Sequence, residues 1–519
     1  MDHSIGKKVF RGTLIIMLVG VAAKLAAFIS EVVLAACLGA NYRSDAYYMV
    51  SNIQAVLYPT LGVGVWKVFL PLYKERCASG RIQEANELTN RAISFFSVVS
   101  FGAVLLLILL AGPVVSLLAP GFEGETRALC VRLVRLSAPM YFFIIAAAIY
   151  ATILQAHDKF FGSQIREVAS HIPTILAALF CYQKWGVEAM AIALVAGGLV
   201  RLLVELPFVD WGYRFRPDFR FRNPEFSLLL KRLPSALASE GVVQLNALID
   251  KAMASTLPEG TISGLNYGHK LMSVFNGLLS GAITTALFPQ TVELIAKKRI
   301  DELGRMIARI VNLFCLIMVP VSLACVLFRK ELVTAVFQHG SFAADSTALT
   351  ADVFALYCLG LFFLASNSVV SNVFYGFGDT KTPMVVSVIG LAVNVALNVA
   401  LVQLWGVNGL ALATSVSAIV TFLVRLLMVK RYVRLDYGRM LVTFLKVSLA
   451  SAVGCFVPRI LFWLLPANPW LLLAASALIG AVLFFAALRL LRVKELDDLA
   501  GMIKRWLNKT KSEEKPQDF

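Results

Sequence analysis

The sequence predicts an all-α polytopic membrane protein with fourteen transmembrane helices, and three observations support this prediction. Of the 519 residues, 59% are hydrophobic and only 15% are charged, whereas soluble domains carry about a quarter charged residues. Apolar stretches of about 20 residues or more, long enough to cross a bilayer, recur along the whole chain. Lysine and arginine cluster in alternate connections between these stretches, as in membrane proteins with a fixed orientation. A cytosolic enzyme and a secreted module are therefore excluded.

We interpret fourteen apolar segments as transmembrane helices and number them spans 1 to 14. The first follows Lys7, Lys8 and Arg11 and superficially resembles a signal peptide. It continues for about thirty residues and contains Lys24 and Glu31, so we expect a retained span. The segments cover residues 9–40, 45–73, 91–118, 126–155, 160–184, 187–209, 227–255, 261–291, 302–327, 346–375, 380–405, 408–430, 438–464 and 469–491.

The basic residues of the connections place both termini in the cytoplasm. Clusters of lysine and arginine follow spans 2, 6, 8 and 12 and occupy the carboxy-terminal tail, whereas the loops after odd-numbered spans contain few. An even number of spans returns the chain to the side on which it began. The net charge of +16 is thereby explained by topology.

The stretch YRFRPDFRFR (213–222) interleaves arginines with aromatic residues, a pattern that also occurs in nucleic-acid sites. Its place between spans 6 and 7 favours a cytoplasmic linker that faces anionic lipid headgroups. We expect no nucleic-acid partner.

An internal repeat divides the chain into two lobes. Trp185-Gly186-Val187 recurs as Trp405-Gly406-Val407, and Val200-Arg201-Leu202-Leu203 recurs as Val424-Arg425-Leu426-Leu427. Two parallel six-helix repeats, related by an axis along the membrane normal, are typical of transporters that work by alternating access. The predicted organisation is an N-lobe (1–212), a basic cytoplasmic linker (213–226), a C-lobe (227–432), two extra carboxy-terminal helices (433–494) and a cytoplasmic tail (495–519).

Charged and polar side chains inside apolar segments are the candidate functional residues, since a charge at the bilayer centre costs at least ~3 kcal/mol without a partner or water. They could instead pair between helices and only orient them. Lys24 and Glu31 are seven residues apart and share a face of span 1, so they could pair with each other. The candidate substrate-binding residues are Lys24, Glu31, Asp45, Gln244, Asn246, Asp250 and Lys270.

Motifs of enzymes and metal sites are missing from the sequence. It contains no GxxxxGK[ST], HExxH or GxSxG pattern, and its eight cysteines have no CxxC spacing. We therefore expect a protein that is not an enzyme and has no cofactor or metal, with a coupling cation as the one open alternative.

Seven stretches in a shared order resemble the MurJ (MviN) family of lipid II flippases, within the multidrug/oligosaccharidyl-lipid/polysaccharide exporter superfamily. None is diagnostic alone, but their shared order is specific, and the resemblance covers nearly the whole chain. They are LGANYRSDAYY (38–48), FLPLYKE (69–75), QLNALIDKAMAS (244–255), NYGHKLM (266–272), ALFPQTVE (286–293), FQHGSFAADS (337–346) and NVFYGFGDTKTP (372–383).

This chain departs from the arginine pattern of that family. Lys24 and Lys270 stand where the family has arginines, and Ser30-Glu31 stands where it has an Arg-Asp pair. No base lies near Tyr58-Pro59, where an arginine pair is expected, whereas the acidic residue of the first loop is kept as Asp45. Lysine keeps the charge of arginine but loses the fork that binds phosphate at two points.

The resemblance implies a monomeric flippase that translocates a polyprenyl-diphosphate-linked saccharide, such as lipid II, across the bacterial inner membrane by alternating access. It implies that Lys24 and Lys270 neutralise the pyrophosphate. Glu31, Asp45 and Asp250 would hold these cations, close gates or bind a coupling cation, and spans 13 and 14 would supply an apolar groove for the lipid tail. A flippase for an exopolysaccharide or O-antigen precursor, or a drug or cation antiporter of the same superfamily, are the alternatives.

Overall fold

The computed structural model describes residues 3–209, 211, 213–464, 469–493 and 495–496. Side chains are described over the same ranges except at 3–17, 54–64, 224–225, 232, 235–236, 238–243, 245–246, 278–279, 281–286, 463–464 and 469. The predictions made for Asn246 and for the site near Tyr58-Pro59 therefore concern side chains outside the described part.

Twenty α-helices and no β-strand make up the described residues. A π-helical turn, Ala177–Cys181, separates two of the helices, and short 3-10 turns lie at Leu206–Phe208 and Val429–Arg431. The helices are α1 His3–Leu38, α2 Tyr42–Ala78, α3 Ile82–Leu109, α4 Ala111–Leu118, α5 Gly124–Ser137, α6 Met140–Ala156, α7 Phe160–Ala169, α8 Ile172–Leu176, α9 Tyr182–Trp185, α10 Glu188–Glu205, α11 Pro224–Ala254, α12 Thr261–Ala296, α13 Ile300–Leu327, α14 Arg329–Phe337, α15 Ala344–Cys358, α16 Leu361–Gly376, α17 Lys381–Trp405, α18 Val407–Met428, α19 Tyr437–Leu464 and α20 Pro469–Leu490.

The helices confirm an integral membrane protein. Among the described residues, nine helical stretches are long and apolar enough to cross a membrane, and ten if the bent pair α5–α6 is one span. The other predicted spans fall on α2, on α7 to α9, on α11 and on α12, all of which are helical. The all-α class is confirmed, and the count of fourteen crossings stays a prediction.

Breaks in the helices are the main difference from the predicted continuous spans. The predicted span 126–155 bends by 42° between α5 and α6, beside Pro139, which lacks a backbone N–H to donate. The predicted span 160–184 is divided into α7, α8, the π-helical turn and α9. Apolar character along a segment gives its length but not its straightness, so these breaks could not be read from hydropathy.

The Trp-Gly-Val motif ends a helix at both of its positions. Gly186 follows α9 with φ of +61°, and Gly406 follows α17 with φ of +54°, a region that glycine enters without strain. One local structure therefore explains why the same three residues occur twice in the sequence.

The chain forms two units, each with its own packing. The first unit comprises residues 1–270 and 336–349, and the second comprises residues 271–335 and 350–519. In the first unit, Phe69, Tyr73, Leu88 and Phe226 are buried together where α2, α3, α6 and α11 meet. In the second unit, α13 packs on α16 and α19, α17 on α18, and α19 on α20.

Candidate substrate site

All seven candidate residues lie in the first unit, on α1, α2, α11 and the start of α12. Glu31 and Asp45 are buried, with 6% and 3% of their surface exposed. Gln244 and Asp250 are half-buried, whereas Lys24 and Lys270 are exposed. The six candidates whose side chains are described are thus two buried acids, two half-buried polar residues and two exposed lysines.

Asp45 caps the first turn of α12. Its Oδ2 accepts a hydrogen bond from the N–H of Gly260 at 2.7 Å, and its Oδ1 accepts from the N–H and the hydroxyl of Ser263, both at 2.8 Å. Backbone N–H groups at a helix start have no partner within the helix, and a negative charge there is favoured by the helix dipole. Asp45, at the start of α2, therefore fastens α2 to α12 through a carboxylate whose two oxygens both accept hydrogen bonds from the protein.

Three loops pack tightly around this cap, and we name them the loop latch: residues 36–45, 255–263 and 338–342. The N–H of Ser341 donates to the carbonyl of Ala36 at 2.7 Å, and the hydroxyl of Tyr267 donates to the carbonyl of Gly39 at 2.9 Å. A Cβ on Gly340, which has φ of +59°, would lie 2.4 Å from the carbonyl oxygen of Ala36. Only glycine permits this approach of two backbones, so the contact explains the glycine at position 340.

Glu31 contacts α12 and not Lys24, so the possible pairing of Lys24 with Glu31 is not formed. The side-chain amide of Asn266 donates a hydrogen bond to Oε1 of Glu31, and the described residues include no ion pair between Glu31 and Lys24. Residues seven apart share a helix face but are about 10 Å apart along the axis, too far for their charged ends to meet easily. Glu31 is therefore a second link between an early helix and α12.

Lys251 is the residue that sequence reasoning missed. It is 8% exposed, in the last turn of α11, and lies within electrostatic range of Asp250, Asp45, Glu31 and Lys270. A buried lysine needs such carboxylates, because an uncompensated charge in the interior is strongly destabilising. The signal was present as the adjacent acid and base of Asp250-Lys251, but the acid alone was singled out.

Lys24 and Lys270 are placed differently from Lys251. Both are exposed, and within the described part of the chain neither forms an ion pair. Lys270 lies within electrostatic range of His171, which Arg201 also reaches. Accessible ammonium groups without a carboxylate partner can neutralise a bound anion, and each offers three N–H donors.

An apolar groove lies in the second unit, between α13, α14, α19 and α20. Its volume is about 630 Å³, and its walls include Pro320, Phe328, Gly454, Trp470, Ala477 and Phe484. The α19 and α20 backbones approach closely at one point, since a Cβ on Gly480 would lie 2.5 Å from the carbonyl oxygen of Gly454. The groove can hold hydrocarbon, and its lining offers few polar groups to a charged headgroup.

A multi-helix membrane fold with accessible cations in one unit and an apolar groove in the other defines the class of polytopic membrane transporters. Comparison with known proteins identifies the group within that class. Residues 34–486 match the family described as Lipid II flippase MurJ, and the chain belongs to this family. The resemblance noted from the sequence motifs is thereby confirmed.

The relatives share modest identity over most of their length. The probable lipid II flippase MurJ of Thermotoga maritima is 26% identical over 482 residues, which is 92% of this chain and 95% of that protein. The lipid II flippase MurJ of Burkholderia cenocepacia is 28% identical over 406 residues, 75% of this chain and 77% of that protein.

Solved structures share the fold. A lipid II flippase MurJ in an inward closed conformation has a TM-score of 0.78 at 23% identity and covers 91% of this chain and 98% of its own. An inward-facing multidrug resistance transporter of the MATE family has a TM-score of 0.67 at 14% identity, covering 79% and 95%.

Proposed function

We propose that the protein is a flippase that translocates a polyprenyl-diphosphate-linked saccharide across the bacterial inner membrane, with lipid II as the substrate. Membership of the family and the names of its relatives support this choice of substrate. The observation in the chain that carries the proposal is the pair of accessible lysines, Lys24 and Lys270, without carboxylate partners in the described residues.

Lys24 and Lys270 bind the pyrophosphate of the substrate in this proposal. Lysine is a compact point charge, so the two residues neutralise the anion without the bidentate geometry of arginine. Glu31 and Asp45 do not contact the substrate; their hydrogen bonds are used to hold α12. Gln244 and Asp250, half-buried on α11, are assigned to the wall of the same site.

The lipid tail occupies the apolar groove of the second unit. Burial of hydrocarbon among Phe328, Trp470 and Phe484 stabilises the tail by dispersion. Binding of the lipid tail is thus the proposed function of α19 and α20, the two carboxy-terminal helices that lie outside the predicted repeat.

The proposed mechanism of translocation is alternating access. It rests on the predicted topology of fourteen spans with both termini in the cytoplasm and on the predicted pair of six-helix repeats. Corresponding arginines support the repeat: Arg201 donates to Glu167 at 2.7 Å, and Arg425 donates to Ser387 at 3.0 Å. In this topology the loop latch lies at the extracytoplasmic end of the first unit. The latch is a gate that opens when the substrate is released to the outer leaflet, and one monomer suffices for the cycle.

Two other functions are distinguishable from this one. A flippase for an O-antigen or exopolysaccharide precursor would bind the same pyrophosphate. The loss of the arginines expected at Ser30 and near Tyr58-Pro59 is the observation that favours this different saccharide. A drug or cation antiporter is the second alternative, since a multidrug resistance transporter of the MATE family shares the fold. Against that alternative, two accessible lysines repel a cationic substrate.

The test uses the purified protein in proteoliposomes loaded with fluorescent lipid II, with a reagent that reads only the outer leaflet. We expect translocation that depends on the protein, and slower translocation of a lipid-linked O-antigen unit. Equal rates for both lipids would remove the assignment to lipid II. Transport of a cationic dye without lipid translocation would identify an antiporter and overturn the proposal.

A further inference from the structure

The stretch Tyr213–Arg222 has an accessible surface that the proposed transport cycle does not use, and we name it the Arg–Phe segment. It has neither helical nor strand structure. Arg214, Arg216 and Arg222 are exposed, and so are two phenylalanines, Phe215 at 42% and Phe219 at 62%. Large exposed aromatic side chains beside arginines are uncommon on a surface that meets only water.

Contacts with α3 fix the position of the segment. The hydroxyl of Tyr213 donates to the side chain of Asn90 at 2.8 Å, and the N–H of Asp218 donates to the hydroxyl of Ser94 at 2.9 Å. Arg91 pairs with Asp218 at 2.9 Å. Phe221 packs against Phe95 and Phe226. The segment therefore follows α3 from Asn90 to Ser94 as a held piece of chain, which leaves Arg214, Phe215, Arg216, Phe219 and Arg222 exposed.

The depth of these contacts places the segment at the membrane interface. All charged residues of α3 lie in its first ten residues, the last being Arg91, and the helix is uncharged from Ala92 to Leu109. The boundary between headgroups and hydrocarbon thus falls beside the residues that hold the segment. Aromatic side chains are favoured at this depth, and arginines there reach the phosphates of the lipids.

The charge of the segment is not neutralised by the protein. Its one acid, Asp218, is engaged by Arg91 and Arg220 at 2.9 Å each. Within the described part of the chain, Arg214, Arg216 and Arg222 form no ion pair. Three cations and two phenylalanines along ten residues are complementary to an anionic lipid surface, in which the rings enter the interface and the guanidinium groups contact phosphate.

We propose that the Arg–Phe segment is a binding site for anionic phospholipid headgroups of the surrounding membrane, separate from the substrate site. Arg91 and Asp218 position it, Arg214, Arg216 and Arg222 supply the charge, and Phe215 and Phe219 supply the apolar contact. The consequence is a selective enrichment of anionic lipid beside α3.

The experiment measures lipid-dependent stabilisation and needs no transport, so its failure is independent of the proposed function. The delipidated full-length protein in detergent is titrated with phosphatidylglycerol or phosphatidylcholine while its thermal unfolding is followed. We expect a larger stabilisation by phosphatidylglycerol. In the triple variant Arg214→Gln/Arg216→Gln/Arg222→Gln, the concentration for half the effect should rise roughly tenfold or more, with unfolding in phosphatidylcholine unchanged.

Two further variants make the result specific. The matched control Lys297→Gln/Lys298→Gln/Arg299→Gln removes three bases from another exposed loop, two of which already pair with Glu293 and Glu302, and should keep the parent response. Phe215→Ser/Phe219→Ser should weaken the response to both lipids. Equal stabilisation by the two lipids, loss of selectivity only in the control variant, or tighter binding of a short RNA than of phosphatidylglycerol would each overturn the proposal.

Discussion

Asp45 and Ser263 are joined by two hydrogen bonds, although 218 residues separate them in the chain. The N–H and the hydroxyl of Ser263 donate to one carboxylate oxygen, and the N–H of Gly260 donates to the other. A side chain from α2 thus performs for α12 the function that an N-cap residue usually performs for its own helix. Of the roles open to Asp45 from the sequence, closing a gate is the one that this geometry favours.

Asp45→Ala should loosen the loop latch, because three donors lose a charged acceptor in a buried position. Hydrogen bonds to charged groups contribute about 1.5–3 kcal/mol each, so we expect a clearly lower thermal unfolding midpoint. Asp45→Asn should have a smaller effect, since its amide oxygen can still accept. Reaction of a cysteine introduced at Ala40, in a variant without the native cysteines, should become faster when the latch opens.

The control for this prediction is Glu125→Gln. Glu125 is an exposed carboxylate that accepts one hydrogen bond, from Tyr42 at 3.1 Å. Its loss should leave both the unfolding midpoint and the reactivity at position 40 unchanged. If Asp45→Ala and Glu125→Gln behave alike, Asp45 does not close the latch.

Lys24→Ala and Lys270→Ala should each slow lipid II translocation, because each removes a cation from the proposed pyrophosphate site. A lost charge-assisted contact of about 1.5–3 kcal/mol corresponds to roughly a ten- to hundredfold effect. Arginine at either position should support transport, since it keeps the charge and adds a second donor. The proteoliposome assay with labelled lipid II measures all four variants.

Lys184→Ala is the matched control, since Lys184 is an exposed lysine at the end of α9. It should transport at the parent rate, and all variants should unfold at the parent temperature. Parent rates in both Lys24→Ala and Lys270→Ala would show that the lysines do not bind the substrate.

The comparison of Glu31 with Lys251 shows how far sequence reasoning reaches. Helical periodicity predicts that Lys24 and Glu31 share a face of α1, and the rarity of charges in apolar segments singled out Glu31 and Asp45, which are buried in the structure. The partners of these residues, Asn266, Gly260 and Ser263, come from distant parts of the chain. Spacing along one helix contains no information about such partners, so it could not show that Glu31 contacts Asn266 and not Lys24.

Lys251→Met should destabilise the protein more than an exposed lysine variant would, because Asp45, Asp250 and Glu31 would lose their common counter-charge. Removing one member of a buried charge group typically costs about 3–5 kcal/mol. The double variant Lys251→Met/Glu31→Gln removes one negative charge as well, so it should recover part of the loss. Thermal unfolding of the parent, both single variants and the double variant measures this coupling.

Additive effects in that set of variants would contradict the electrostatic link between Lys251 and Glu31. Lys251→Arg should be close to the parent, since it keeps the charge. A loss in Lys251→Arg as large as in Lys251→Met would indicate packing and not charge.

The groove of the second unit was anticipated as a consequence of family resemblance and could not be derived from the sequence. The apolar residues of α19 and α20 are equally compatible with contact to lipid on every side. Its shape depends on the approach of Gly454 to Gly480 and on the places where α13 ends and α14 begins. Backbone approach between helices is a tertiary property that hydropathy does not encode.

Ala477→Phe should slow translocation by filling the groove with a ring that competes with the lipid tail. Ala477 lines the groove, and the volume of a phenylalanine side chain at this position would fill much of the groove. The neighbouring Leu478 is 71% exposed and is absent from the groove lining, so Leu478→Phe is the control and should transport normally. Equal rates for both variants would exclude the groove from substrate binding.

The attachment of the Arg–Phe segment to α3 should weaken in acid through Asp218. The hydrogen bond from Arg220, with further contributions from Arg91, lowers the pKa of this carboxyl group to about 2. The pKa of this carboxyl group is thus lower in the folded state than in the unfolded state. Its charge therefore stabilises the fold fully at pH values above the unfolded pKa, which is about 3.9. The stabilisation is lost as the pH falls through the folded value. The window is therefore between about pH 4 and pH 2.

Asp218→Asn removes this titration and gives a reference for measuring it. The difference in unfolding midpoint between the parent and Asp218→Asn should be constant from pH 7 to about pH 4 and should shrink toward pH 2. Asp301→Asn, which changes a carboxylate that forms no ion pair among the described residues, should show no such convergence. A parent and an Asp218→Asn variant that stay equally far apart at every pH would mean that Asp218 does not hold the segment through its charge.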